Sequence, residues 1–150
     1  MTKSSPARAE DPLGLDNQLC FALYSSSLLM TKLYKPLLAE IGLTYPQYLV
    51  MLSLWEEDGV TVSRLGERLY LDSGTLTPLL KRLEKAGLVT RERNEKDERQ
   101  VLVRLTAGGK ALKRQAAGIP KKVAIASGLS LDEILNLRKR LKKLRGALAA

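Results

Sequence analysis

The chain has no histidine and a single cysteine, Cys20. Those two scarcities remove much of the usual catalytic chemistry. Triads and dyads that need an imidazole are excluded, and so are zinc sites built from Cys and His. No disulfide can form within one chain. The only adjacent glycines, Gly108-Gly109, are too few for a phosphate-cradling loop. No apolar run approaches the ~20 residues that span a bilayer. Met1 to Pro12 is polar and lacks the apolar stretch of a signal peptide, which points to a cytoplasmic protein. Those twelve residues read as a disordered tail, and 13–150 as one domain. Nothing in the sequence calls for a cofactor or a metal.

Acidic residues are scarce in one region only. Residues 1–60 hold 4 Lys and Arg against 7 Asp and Glu, residues 61–105 hold 10 against 7, and residues 106–150 hold 11 against 2. The net +9 suits a polyanionic partner, although most of the excess lies in the last third.

What is present centres on 61–106. Val62, Leu65 and Leu69 repeat at helical spacing, so Thr61–Tyr70 predicts a short amphipathic helix. Leu71-Asp72-Ser73-Gly74 predicts a turn, with Ser73 or Thr75 capping the next helix. That helix buries Leu76, Leu79, Leu80 and Leu83. It turns Thr77, Pro78, Lys81, Arg82 and Lys85 outward. Pro78 lacks an N–H and places the helix start close by, and Gly87 ends the helix as a left-handed residue. Small hydroxyls followed by bases suit a helix whose N-terminal end enters the DNA major groove. Ser73, Gly74, Thr75, Thr77, Pro78, Lys81 and Arg82 are the candidate contacts. The same pattern also fits two amphipathic helices of any α protein.

A charged hairpin follows. Leu88–Arg93 and Gln100–Leu105 alternate, and the polar run Asn94–Arg99 joins them. Helix, turn, helix and hairpin make a winged helix-turn-helix. Here the chain resembles the MarR family of bacterial transcription regulators, whose wing carries Asp-x-Arg followed by Leu-Thr. The counterparts are Asp97-Glu98-Arg99 and Leu105-Thr106. The resemblance implies that Arg99 enters the minor groove and that Asp97 orients it.

The flanking segments read as helices. A long one begins at Leu13, with Asp16 or Asn17 in its opening turn. It is bent or loosened at Pro36 and broken by Gly42. The next opens at Thr44-Tyr45-Pro46, with Pro46 as its first residue. Tyr48, Leu49, Met51, Leu52 and Trp55 make it central to the core. After the wing, Thr106 caps a helix that Pro120 kinks or splits and Gly128 stops. Ser130 and Glu133 form a capping box, with Leu129 and Ile134 as its staple. The last helix carries Ile134, Leu137, Leu141, Leu144 and Leu148 at coiled-coil spacing, with Arg138, Lys139, Arg140, Lys142, Lys143 and Arg145 on its other faces. That seam fits packing within one chain or between two. Reading a palindromic operator on double-stranded DNA requires two-fold symmetry, which favours a homodimer through helices 13–41 and 106–149. The resemblance implies the same arrangement.

The stretch Leu15–Tyr24 narrows the resemblance to the branch of organic hydroperoxide resistance regulators. It extends through Tyr34-Lys35-Pro36-Leu37-Leu38 and Leu43–Tyr48 to the wing. In that branch a cysteine early in the first helix senses peroxide, which implies Cys20 as the sensor. The thiolate is the nucleophile toward an O–O bond, and a helix N-terminus favours the anion. Tyr24, one turn along, is a candidate donor to the sulfur. The resemblance implies two more, Tyr34 and Tyr45. Tyr34 lies 14 residues beyond Cys20, about 21 Å along one helix at ~1.5 Å per residue. It can serve only the Cys20 of a second chain across antiparallel first helices.

Part of the branch has a second, resolving cysteine near the C-terminus. Here Ala124–Leu129 contains none, so the chain matches the one-cysteine type or has lost a resolving cysteine, and an oxidised Cys20 must react with an external low-molecular-weight thiol or a backbone nitrogen, or oxidise further. The leading expectation is a repressor induced by organic hydroperoxide. Two others stand beside it: a repressor released by a small aromatic ligand, and a thiol peroxidase. The last lacks a resolving cysteine and a catalytic His.

Overall fold

The computed structural model describes residues 11–150. The tail expected at 1–12 lies outside that range except for Asp11 and Pro12. These two enter a turn closed by Gly14 N–H donating to the Asp11 carbonyl at 3.0 Å. A single 3₁₀ turn, Leu15–Asn17, follows. Helix α1 spans Leu19–Ala39, α2 Tyr45–Glu56, α3 Val62–Leu69 and α4 Ser73–Lys85. Strand β1 is Val60–Thr61, β2 Val89–Asn94 and β3 Asp97–Leu105. Helices α5 Ala107–Ala116, α6 Ile119–Ser127 and α7 Leu131–Ala149 complete the chain.

The first helix therefore starts six residues later than its apolar pattern suggests. Gln18 is extended at the N-cap, so Asp16 and Asn17 belong to the 3₁₀ turn and not to the helix. The helix continues through Pro36 and ends at Ala39, short of the expected Ile41; Gly42 (φ +71°) then turns the chain, and Leu43 N–H reaches back to the Leu38 carbonyl at 3.1 Å. Helix α2 opens on a reciprocal Thr44–Gln47 capping box, one residue earlier than Pro46 implied.

The core forms where α2 meets the helix-turn-helix and the sheet. Val50, Met51 and Leu54 of α2 are fully buried with Leu76, Leu80 and Leu83 of α4, Val89 of β2 and Val103 of β3. Leu52, expected inside, is exposed: α2 is apolar nearly all round, and this chain covers only part of it.

The sheet has three antiparallel strands in the order β1-β3-β2. The two-residue β1 pairs Val60 with Val103, and the wing pairs Val89 with Leu105 through to Asn94 with Asp97. The polar connection expected over 94–99 is mostly strand, leaving only Glu95 and Lys96 between β2 and β3.

Two close approaches seat α5 against α2 and against the residue that leads into β2. Trp55 Nε1 donates to the Gly109 carbonyl at 2.9 Å. A Cβ on Gly109 would stand 2.1 Å from the Leu88 carbonyl oxygen, so only glycine fits there. The expected split at Pro120 is found between α5 and α6, and Ser130 and Glu133 form the expected capping box.

Candidate nucleic-acid interface and thiol site

The presentation of α4 is set by the turn before it. Tyr70 closes α3 in the left-handed region (φ 57°, ψ 38°), and Leu71 N–H bonds the Gly66 carbonyl at 2.9 Å. A Cβ on Gly66 would lie 2.7 Å from the Leu71 carbonyl oxygen, so glycine lets the turn close. Asp72, neither Ser73 nor Thr75, is the N-cap. Its Oδ1 accepts from Thr75 N–H at 2.7 Å, which holds its carboxyl below the usual range, with the Thr75 hydroxyl and Gly74 N–H contributing further. The signal was an Asp three residues before a threonine, masked by two other good capping residues.

Ser73, Gly74 and Thr75 thus form the first turn, exposed, with Pro78, Lys81 and Arg82 exposed further along and Thr77 half-buried. Pro78 sits in the second turn, deeper than expected, and leaves the Gly74 carbonyl without its helical N–H partner. Small residues, a free carbonyl and two bases therefore lie on one solvent face, behind which Leu76, Leu80 and Leu83 are fully buried.

The wing is fixed to this helix by a contact that the sequence did not reveal. Glu84, in the last turn of α4, accepts from Arg91 N–H at 3.2 Å and from Arg91 Nη2 at 3.2 Å. Asp58 adds a second tie, accepting from Gly59 N–H and from Leu105 N–H, each at 2.8 Å. At the tip, Asp97 Oδ1 accepts from Arg99 N–H at 3.1 Å and from Arg99 Nε at 3.3 Å. The Arg99 side chain is 92% exposed. A carboxylate thus holds the base of a guanidinium whose far end is free to meet an anion.

The residues expected at the thiol site fall in two separate places. Cys20 is the second residue of α1 and is exposed. Gln18 makes no side-chain cap there, because its amide donates instead to the Pro12 and Gly14 carbonyls at 2.7 and 2.9 Å. The first N–H groups of α1 are thus left to favour an anion beside them. Tyr24 is exposed on the same helix.

At the other end of α1, Tyr34 packs against Tyr45 and Tyr48, with ring centroids 4.8 and 5.8 Å away. Burial, then the two neighbouring phenols, push Tyr34 up to about 12; burial also raises Tyr45 and Tyr48. All three stay protonated donors near neutral pH. The structure brings Tyr34 and Tyr45 together and brings neither to the Cys20 of the same chain.

Around both parts lies uncovered apolar surface. Helix α7 buries no residue, and α1 buries only Leu38. Leu29, Leu137 and Leu148 are 66%, 47% and 75% exposed. No helix among the described residues is long and apolar enough to cross a membrane.

Residues 32–116 match the family model of SarA/Rot transcriptional regulators. The chain is 53% identical over 131 residues to the organic hydroperoxide resistance transcriptional regulator of Bacillus subtilis, covering 87% of this chain and 89% of that protein. Among solved structures, reduced AbfR bound to DNA superposes with a TM-score of 0.75 at 41% identity, over 91% of this chain and 95% of that one. Wild-type MarR from Escherichia coli superposes with a TM-score of 0.69 at 29% identity, over 85% and 96%.

Proposed function

Since the chain belongs to the MarR family of winged helix-turn-helix transcription regulators, in the branch of organic hydroperoxide resistance regulators, we propose that it is a dimeric repressor. It binds a palindromic operator when Cys20 is reduced and leaves it when an organic hydroperoxide oxidises Cys20. The observation that carries this reading is the split thiol site. An exposed cysteine sits at one end of α1 and a pair of protonated phenols at the other. An antiparallel second copy brings them together.

The DNA half uses Ser73, Gly74, Thr75, Thr77 and Pro78 at the groove. Lys81 and Arg82 meet phosphate, and the Asp97–Arg99 pair enters the minor groove. In the sensor half, Tyr34 and Tyr45 of the second chain, with Tyr24 nearby, donate to the Cys20 thiolate. The sulfur attacks one oxygen of the hydroperoxide and the O–O bond breaks. The alcohol departs with a proton and Cys20 becomes a sulfenic acid. A small cellular thiol then displaces hydroxide, as water, and leaves a mixed disulfide at the interface.

Carrying a binding-competent population from 99:1 to 1:99 requires about 5.5 kcal/mol. Forcing an added group into each packed site supplies ~1–3 kcal/mol and displaced tyrosine hydrogen bonds add about 1 kcal/mol each, so both chains must respond for full release.

The test is the variant Cys20→Ser, which should bind the operator like the parent and stay bound after one equivalent of cumene hydroperoxide. Release from Cys20→Ser would transfer the sensing elsewhere. A thiol peroxidase would instead show steady peroxide consumption with dithiol.

A further inference from the structure

Tyr70 is the one non-glycine residue with a positive φ among the described residues. A bulky side chain adopts that conformation at a cost. It closes α3 two residues before Asp72, the N-cap of the reading helix, in the turn that Gly66 allows to shut tightly. Its ring is exposed, yet it is not unaccompanied. The guanidinium carbon of Arg145 lies over it, 5.1 Å from the centroid. Arg145 belongs to the last helix and makes no ion pair among the described residues.

The two side chains border an apolar cleft of about 360 Å³ whose other walls are Leu141, Leu144, Leu148 and Ala149 of α7 and Leu23 of α1. Leu23 is three residues beyond Cys20, so it lies close to the same helix face one turn along. The cleft is therefore where the thiol-bearing helix, the last helix and the turn that aims the reading helix meet.

We propose that the Tyr70–Arg145 contact is the joint through which a change at Cys20 reaches the reading head. The inference rests on the redox-repressor reading above. A group added at Cys20 displaces the first turns of α1, and Leu23 with them. The cleft then repacks, and Tyr70 moves with α7. Because the turn from Tyr70 to Asp72 is closed by two backbone bonds to Gly66, it has little freedom to absorb the shift and passes it to α4. Tyr70 and Arg145 are positioning residues. Neither is among the residues placed above at the groove or at the sulfur.

The experiment measures two quantities on the same full-length samples: sulfenic acid at Cys20, trapped and weighed by mass spectrometry, and operator affinity before and after cumene hydroperoxide with added thiol. Arg145→Gln should be oxidised at the parent rate and should bind the operator normally when reduced. Its loss of affinity on oxidation should be about 2- to 5-fold smaller per chain, the range of an exposed cation–π contact. Tyr70→Asn, which tolerates the left-handed turn but has no ring, should behave the same way. Tyr70→Phe keeps the ring and should behave as the parent.

Full release by Arg145→Gln and Tyr70→Asn overturns the joint and leaves the redox reading standing. Failure of reduced Arg145→Gln to bind, as an intact dimer, also overturns it, since the contact would then merely hold the head in place. If the parent protein itself is oxidised and stays on DNA, the redox reading fails and the joint fails with it.

Discussion

Tyr34 is ordinary core in this chain and, in the proposed sensor, a donor to the reactive sulfur as well. Its ring fills the space between α1 and α2 against Tyr45 and Tyr48, and burial makes its phenol hold its proton more firmly. A phenol that keeps its proton is a steady hydrogen-bond donor. Its raised value also fixes the sign of the pH effect. The neutral form is favoured in the folded state, so that part of the stability is complete below the ordinary value of 10.0 and is lost as pH rises toward about 12. Replacing Tyr34 or Tyr45 with Phe keeps the packing and removes the donor. Oxidation of Cys20 by cumene hydroperoxide should then slow by about tenfold or more, the low end for one hydrogen bond to a charged group. Stopped-flow measurement of the thiol would show it, and an unchanged rate would remove these phenols from the sensor. The roles proposed for these residues come only from the family resemblance, since spacing alone gives two tyrosines far from a cysteine.

At the scale of the element, the reading helix and wing were easier to read than their ends. Leucines at helical spacing and alternating strands placed α4, β2 and β3 correctly in outline. The N-cap was missed because the start of α4 depends on Tyr70 turning left-handed, and tyrosine does not advertise that conformation as glycine does. The outer part of the hairpin read as loop because both its faces meet water, so alternation fades there. Strand β1, two residues long, has no periodicity to detect.

The wing also gives the sharpest element-scale test. With Asp97 gripping its backbone and Nε, Arg99 offers its remaining donors outward. Arg99→Ala should weaken operator binding and lower the salt slope by about one unit per chain. Normal binding by that variant would mean the wing does not enter a groove.

On the scale of the whole molecule, the leucine seam of α7 was legible as a seam, but one sequence could not say what covers it. In the folded chain nothing buries it. Helix α7 has no buried residue, and α1 beside it has one. That is a large apolar area for a lone chain to leave in water. Sizing should return about twice 16.6 kDa, and Leu137→Glu should shift the equilibrium toward single chains and weaken operator binding with it. A Leu137→Glu protein that stays dimeric would place the interface elsewhere.

The separation of Cys20 from Tyr34 on one helix has a consequence for dimers made of two different chains. In the proposed shared sensor, a Cys20→Ser chain and a Tyr34→Phe chain should each be defective when paired with themselves. In a mixed pair, the cysteine of the second meets the tyrosine of the first, and one complete site is restored while the other lacks both groups. A purified mixed dimer, separated from both parent dimers, should therefore recover part of the peroxide response that neither parent shows. Its one remaining cysteine should oxidise at the rate of the unaltered protein. If the two groups belonged to a site within one chain, no such complementation could occur.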